Sequence, residues 1–367
     1  MKKAYMTISA LLLCAGMMMA QVPANRTAKT VAADVLAQMP AKQQKEYNDL
    51  IGQLSRAGEE AVQVIVGMIN APGKGSNAQA DYALSGLSHF VMAKGQENAR
   101  QMVAKAYVKA LQSVSERETK AFIIRQLQIM GGDESVESLA DYLTDKELSG
   151  PASRALARIA TPAAGEALMA GLKSRVAMGA KAKRDMINAI AEAKVSGAEQ
   201  LLLTFVGNQD VDLQKTALYA LSQVGGEASL KVLADAAAKA GYTMEKSGAN
   251  EAYIELIKNI AAKGDLALAE KAAKDLQKKA EKANQLQTRE AALKILLSLK
   301  DNKAATKMLL AALKDPCIGY RNAALDFASG FVGEPEYVEV VKAMLKAKPE
   351  VKVDVINWLG REAKCPK

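Results

Sequence analysis

The chain holds one histidine in 367 residues, three cysteines, and aromatic residues at only 4%. Each shortage closes off a class of function. A lone imidazole with no cysteine or acidic neighbours at ligand spacing cannot build a zinc site. His89 lies in SGLSHFVMAKG beside Phe90, which reads as a packed or half-exposed helix position. It could act as a general base, but Ser85 and Ser88 share its short helix, so no Ser-His-Asp set assembles around it. Few aromatics leave little for base stacking. The 49 basic residues are spread along the chain, so the net charge of +9 is no nucleic-acid footprint. It fits a soluble exported protein with a mild preference for anionic surfaces. Nothing resembles a run of strands, and beyond the first twenty residues no stretch is apolar enough to cross a membrane.

Other motifs reduce to local structure. APGKGSNAQ (Ala71 to Gln79) has a Gly-Lys-Gly-Ser order, but it lacks the upstream glycine of a phosphate loop and no strand precedes it. Ser76 or Asn77 capping the next helix explains it better. Glu59 with Glu60, and Glu116 with Glu118, sit at helix starts and favour the positive end of the dipole. No catalytic residue, metal ligand or cofactor is expected.

Residues 1–20 read as a secretory signal peptide: Lys2 and Lys3, then the apolar run Ile8 to Ala20, then Gln21. The run is too short for ~30 Å of hydrocarbon, and Leu13 is a poor fit before a lipid-attachment cysteine at Cys14. The expected location is the periplasm or cell surface of a Gram-negative bacterium, with the protein not transmembrane. Export exposes Cys317 and Cys365 to oxidising conditions. They fall at opposite ends of equivalent helices, each about 20 Å long, so both are expected to stay free.

What is abundant is helix signal, and it repeats. Lys120, Arg184, Lys215, Arg289, Arg321 and Lys352 are separated by 64, 31, 74, 32 and 31 residues, the two long gaps each spanning two units. Helical runs follow each, such as KTALYALSQVGG and REAALKILLSLKD. Glycines and prolines punctuate the runs, and apolar residues recur at three and four. The second helices of the units are expected to end near 57, 94, 131, 161, 194, 225, 263, 300, 332 and 363. A fixed period of this size predicts stacked helix pairs. The expected fold is therefore all-α: after a leader at 21–40, an α-solenoid over 41–367 of nine or ten antiparallel pairs in a right-handed curve, on the order of 90–100 Å long. The run Glu270 to Asn284 reads as an extended helix with a solvated face.

The clearest unit, Leu309 to Gly333, resembles the HEAT repeat of the short, armadillo-like kind. Asp315 and Pro316 stand in the turn, Tyr320 replaces the usual valine, and Arg321, Ala323 and Ala324 open the inner helix. The resemblance implies an internal ladder in which Asp315 pairs with Arg321, with Arg289 and Lys120 as weaker members. Segments such as NAPGKGSNAQADYALSGLSHFVM and PEVKVDVINWLGREAKCP resemble the N-terminal HEAT region of exported bacterial proteins that end in a 3-keto-disaccharide hydrolase-type domain. That resemblance implies a non-catalytic arm, linked to glycans only through an attached C-terminal domain. Trp358, Ile356 and Leu359 would then lack a following unit, as if the solenoid were uncapped or truncated. The recurring cations read as a structural ladder rather than an anion-gripping row. The expected function is an exported scaffold binding a protein partner through its concave face. Tyr82, Arg125, Arg158, Lys183, Tyr219 and Tyr253 on the inner helices, and Trp358, are the expected contacts.

Overall fold

The computed structural model describes residues 26–330 and 333–361. The expected signal peptide with Cys14, and Cys365, lie outside the described residues. The described chain is all-α: nineteen α-helices and one short 3-10 turn, with no strand among these residues. None of the helices is long and apolar enough to cross a membrane. The chain divides into two compact units between Ser135 and Val136.

The first unit starts earlier than the sequence suggested, because part of the expected leader is helical. α1 (Ala28–Ala37) is capped by Thr27, whose hydroxyl accepts the Thr30 amide at 3.2 Å. It buries Val31, Ala32 and Val35 against α2 (Gln44–Gly67) and α3 (Ala78–Phe90). α2 is interrupted at Gly58, whose φ of 79° is left-handed and costs a glycine little. α4 (Glu97–Ser113) packs on α2, while α5 (Arg117–Met130) packs on α3 and α4. Leu84, Leu87, Leu111, Ile123 and Leu127 are fully buried. Tyr107 joins them because its hydroxyl finds the Leu84 carbonyl at 3.0 Å and Ser88 Oγ at 3.2 Å. Burial pushes its phenol well above the usual value.

The second unit holds α6 (Val136–Ala140), α7 (Ser149–Ile159), α8 (Pro162–Lys173), α9 (Ala180–Glu192), α10 (Glu199–Leu203), α11 (Val211–Val224) and α12 (Glu227–Lys239). It continues with α13 (Ala249–Ala262), α14 (Leu266–Lys282), α15 (Leu286–Ser298), α16 (Asn302–Ala312), α17 (Ile318–Ala328), α18 (Glu334–Leu345) and α19 (Pro349–Arg361). From α7 to α19 each odd-numbered helix packs on the next odd-numbered one, and the even-numbered helices pack beside them. The cause is visible in α11, where Leu213, Ala217, Leu218 and Leu221 recur at helical spacing and are buried. Short polar side chains start several helices: Thr161, Asp210, Asp265 and Asp301 each accept the amide three residues on. Such a cap contributes about 1 kcal/mol. α14 carries the charged run foreseen in the sequence, burying Ala269, Ala272, Ala273, Leu276 and Ala280 while Lys271, Lys274 and Lys278 face solvent.

Candidate functional site

The recurring basic residues occupy three different environments. Arg184, on α9, reaches Asp212 at the start of α11 at 2.9 Å, with 31% and 76% of the two side chains exposed. Arg289, on α15, is pinned to Asp315 before α17, with Nη1 to Oδ1 at 3.2 Å, and it also holds Glu281 at 3.0 Å. Its guanidinium lies 3.7 Å from the Tyr320 ring centroid, so the tyrosine serves as a cation–π platform. Arg321, on α17, is 4% exposed and donates from Nε to Asp354 Oδ2 on α19 at 2.6 Å.

The expected pairing of Asp315 with Arg321 is therefore replaced. The Asp315 carboxylate turns back to Arg289, and Arg321 takes the backbone carbonyls of Asp315 and Pro316 at 2.9 and 3.2 Å. Burial alone would raise the Asp315 pKa. The Arg289 hydrogen bond, the Cys317 amide and the charges of Arg289 and Arg321 outweigh it and hold the carboxyl below its usual range. Lys215 is exposed on α11, and Lys120 and Lys352 are half-buried on α5 and α19.

In the first unit a cleft of about 580 Å³ opens between residues 41–47 and α3. Tyr47 and Tyr82 meet edge to face with centroids 5.2 Å apart. Asp81, Ser85 and His89 project from α3 into the same cleft. Gly86 permits this arrangement: a Cβ there would lie 1.9 Å from the Tyr47 hydroxyl. Burial, and then the neighbouring Tyr82, raise the Tyr47 pKa. Burial also raises that of Asp81, with Arg125 of α5 working against it. The single histidine is exposed rather than packed or half-exposed, because its side of α3 faces the cleft instead of the core.

Of the expected contact residues, Tyr82 and Arg125 are exposed in the first unit, and Arg158 and Tyr219 in the second; Lys183 is half-buried. Two expectations fail. Tyr253 is 3% exposed, because it lies on the side of α13 that packs against neighbouring helices, while Glu251 and Lys258 take the solvent side. Its pKa is pushed up to about 12 by burial and by Asp275 and Tyr242. Trp358 is 1% exposed, stacked on Tyr337 at 5.4 Å with Nε1 donating to Ser329 Oγ at 3.1 Å. Ile356 beside it is 56% exposed. Cys317 is a free thiol.

Sequence reasoning missed Glu199. Its Oε1 accepts the Gly226 amide at 2.7 Å, the Ser229 amide at 2.9 Å and the Ser229 hydroxyl at 2.6 Å. A carboxylate on α10 thus caps α12, whose own N-cap is a glycine with no side chain to do so. Glycine where Ser or Asp is favoured was the available signal. Among the described residues, no group of three or more His, Cys, Asp or Glu side chains could hold a metal ion. No protein-family model matches the chain, and no curated protein matches it.

Proposed function

We propose that this chain is an exported α-solenoid of HEAT-like helix pairs that binds a protein partner and performs no catalysis of its own. The supporting observation is where large amphipathic side chains reach solvent. Tyr82 and Arg125 sit on neighbouring α3 and α5 of the first unit; Arg158 and Tyr219 sit on α7 and α11 of the second, joined through α9. Tyrosine and arginine supply contact area and hydrogen bonds at low entropic cost, which is why they anchor interfaces. The cleft of Tyr47, Tyr82 and His89 would receive a protruding side chain or loop of that partner.

The test is site-specific photo-crosslinking in the exporting cell. A crosslinker at Tyr82 and at Tyr219 should trap a protein of one size, while the same group at Lys239 or Lys271, on even-numbered helices, traps none. Equal adducts from all four positions would overturn the proposal.

A second reading makes the chain the non-catalytic arm of a glycan-processing protein, docked against an attached domain. It is favoured by exposed apolar residues on the last two helices: Val338 and Leu345 on α18, Val353 and Ile356 on α19. Crosslinks from Ile356 within one polypeptide would support it over the first reading.

A further inference from the structure

A second cleft, of about 660 Å³, lies at one end of the last helix pairs, between the α16–α17 turn and the α18–α19 turn. That volume falls within the range of small-molecule sites. Its floor is apolar, made by Leu310, Leu313, Met344 and Val351. Its rim is basic, with the exposed lysines Lys314, Lys346 and Lys348. Two carboxylates also line it. Asp315 is already neutralised by Arg289, which leaves Glu350 as the one acid to set against three lysines.

The fourth cation in the wall, Arg321, is 4% exposed. Its Nε and Nη1 are used by Asp354 and by the carbonyls of Asp315 and Pro316. It lines the same cavity, where a guanidinium favours an anionic group over a cationic one.

We propose that this cleft binds an aliphatic carboxylate of medium chain length, with the carboxylate held by the lysine rim and the chain lying over Leu310, Leu313, Met344 and Val351. Apolar floor and cationic rim each exclude one competitor. A small anion such as acetate leaves the floor wet, and a cationic amphiphile of the same tail meets three lysines. The site is independent of the partner face proposed above.

The test is isothermal titration of the full chain with dodecanoate, dodecyltrimethylammonium and acetate, each below its micellar concentration. Saturable one-to-one binding is expected for dodecanoate only. Lys346→Glu with Lys348→Glu, both on exposed side chains, should weaken it about tenfold or more, which corresponds to about 1.4 kcal/mol. Ala347→Trp, which fills the cleft, should abolish it while the helical circular dichroism is unchanged. Equal affinity for the cationic analogue, no heat with dodecanoate, or an unchanged affinity in the double charge reversal would each overturn the proposal.

Discussion

The Arg321–Asp354 pair allows the sharpest test of what holds the last helices together. Both side chains are 5% exposed and the contact is 2.6 Å, so water screens it little. Asp354→Ala leaves a guanidinium in the core without its counter-charge, a change that costs about 3–5 kcal/mol. Asp354→Asn keeps an acceptor for Nε but removes the charge, and should cost about 1.5–3 kcal/mol. Replacing both, as Arg321→Met with Asp354→Leu, removes the stranded charge. It still costs the carbonyls of Asp315 and Pro316 their donor, about 1–3 kcal/mol in all. The double variant should thus be more stable than Asp354→Ala although more has been removed. Arg184→Ala is the control: its pair is largely exposed and should be worth less than about 1 kcal/mol. The assay is urea unfolding followed by fluorescence. Trp358 is the only tryptophan and sits on α19 one turn from Asp354, so it reports this region and not an average over the array. An Asp354→Ala loss under about 1 kcal/mol, or a double variant weaker than that single one, would refute the reasoning.

Glu199→Ala should lower stability by about 1–3 kcal/mol, because it orphans the amides of Gly226 and Ser229 at the start of α12. Hydrogen exchange should show the loss first at those two amides, and uniform exchange across the unit would contradict the capping role. Gly86→Ala forces a Cβ into Tyr47 and should cost about 1–3 kcal/mol while changing the near-ultraviolet dichroism of the Tyr47–Tyr82 pair; an unchanged spectrum would place the tyrosines elsewhere. Asp315 has a depressed pKa, so its stabilising contribution is complete above its unfolded value of about 3.9 and disappears as pH falls through its folded value. The stability gap between wild type and Asp315→Asn should be constant above about pH 5 and close as the pH falls towards 3. A gap that persists in acid would mean the carboxylate charge contributes nothing.

The helix boundaries were legible because they are written in two independent signals that agree. The second-helix ends anticipated near 131, 161, 194, 225, 263 and 300 compare with α5, α7, α9, α11, α13 and α15 ending at 130, 159, 192, 224, 262 and 298. Even the marker at 57 falls beside Gly58, where α2 breaks. Glycine, proline and apolar period are local properties, so a local reading recovers them. Which face of a helix reaches solvent is not local. Tyr219 and Tyr253 sit in similar inner-helix contexts, yet Tyr219 is 51% exposed and Tyr253 3%. The difference is which side of each helix its neighbours cover, and no window of sequence contains that. One pairing among the recurring cations was misassigned for the same reason. The sequence identified Arg289, Asp315 and Arg321 as members, but the turn after α16 decides that the carboxylate points back and the carbonyls forward.

One recurring position thus serves two ends. Where the acid partner is enclosed, as with Arg289 and Arg321, the cation closes the junction between one helix pair and the next, and removing either partner strands a charge. Where the cation stays in water, as with Lys215 on α11, it adds little to stability. Lys215 precedes Tyr219 by four residues, which places both on one face of α11. A charge and an aromatic ring side by side in solvent contribute more to recognition than to folding. Charge reversal at Lys215 should therefore leave urea unfolding within about 0.5 kcal/mol of wild type and reduce crosslinking from Tyr219. The opposite pattern, a stability loss with crosslinking intact, would return Lys215 to the ladder and leave Tyr219 without a neighbouring charge in the contact.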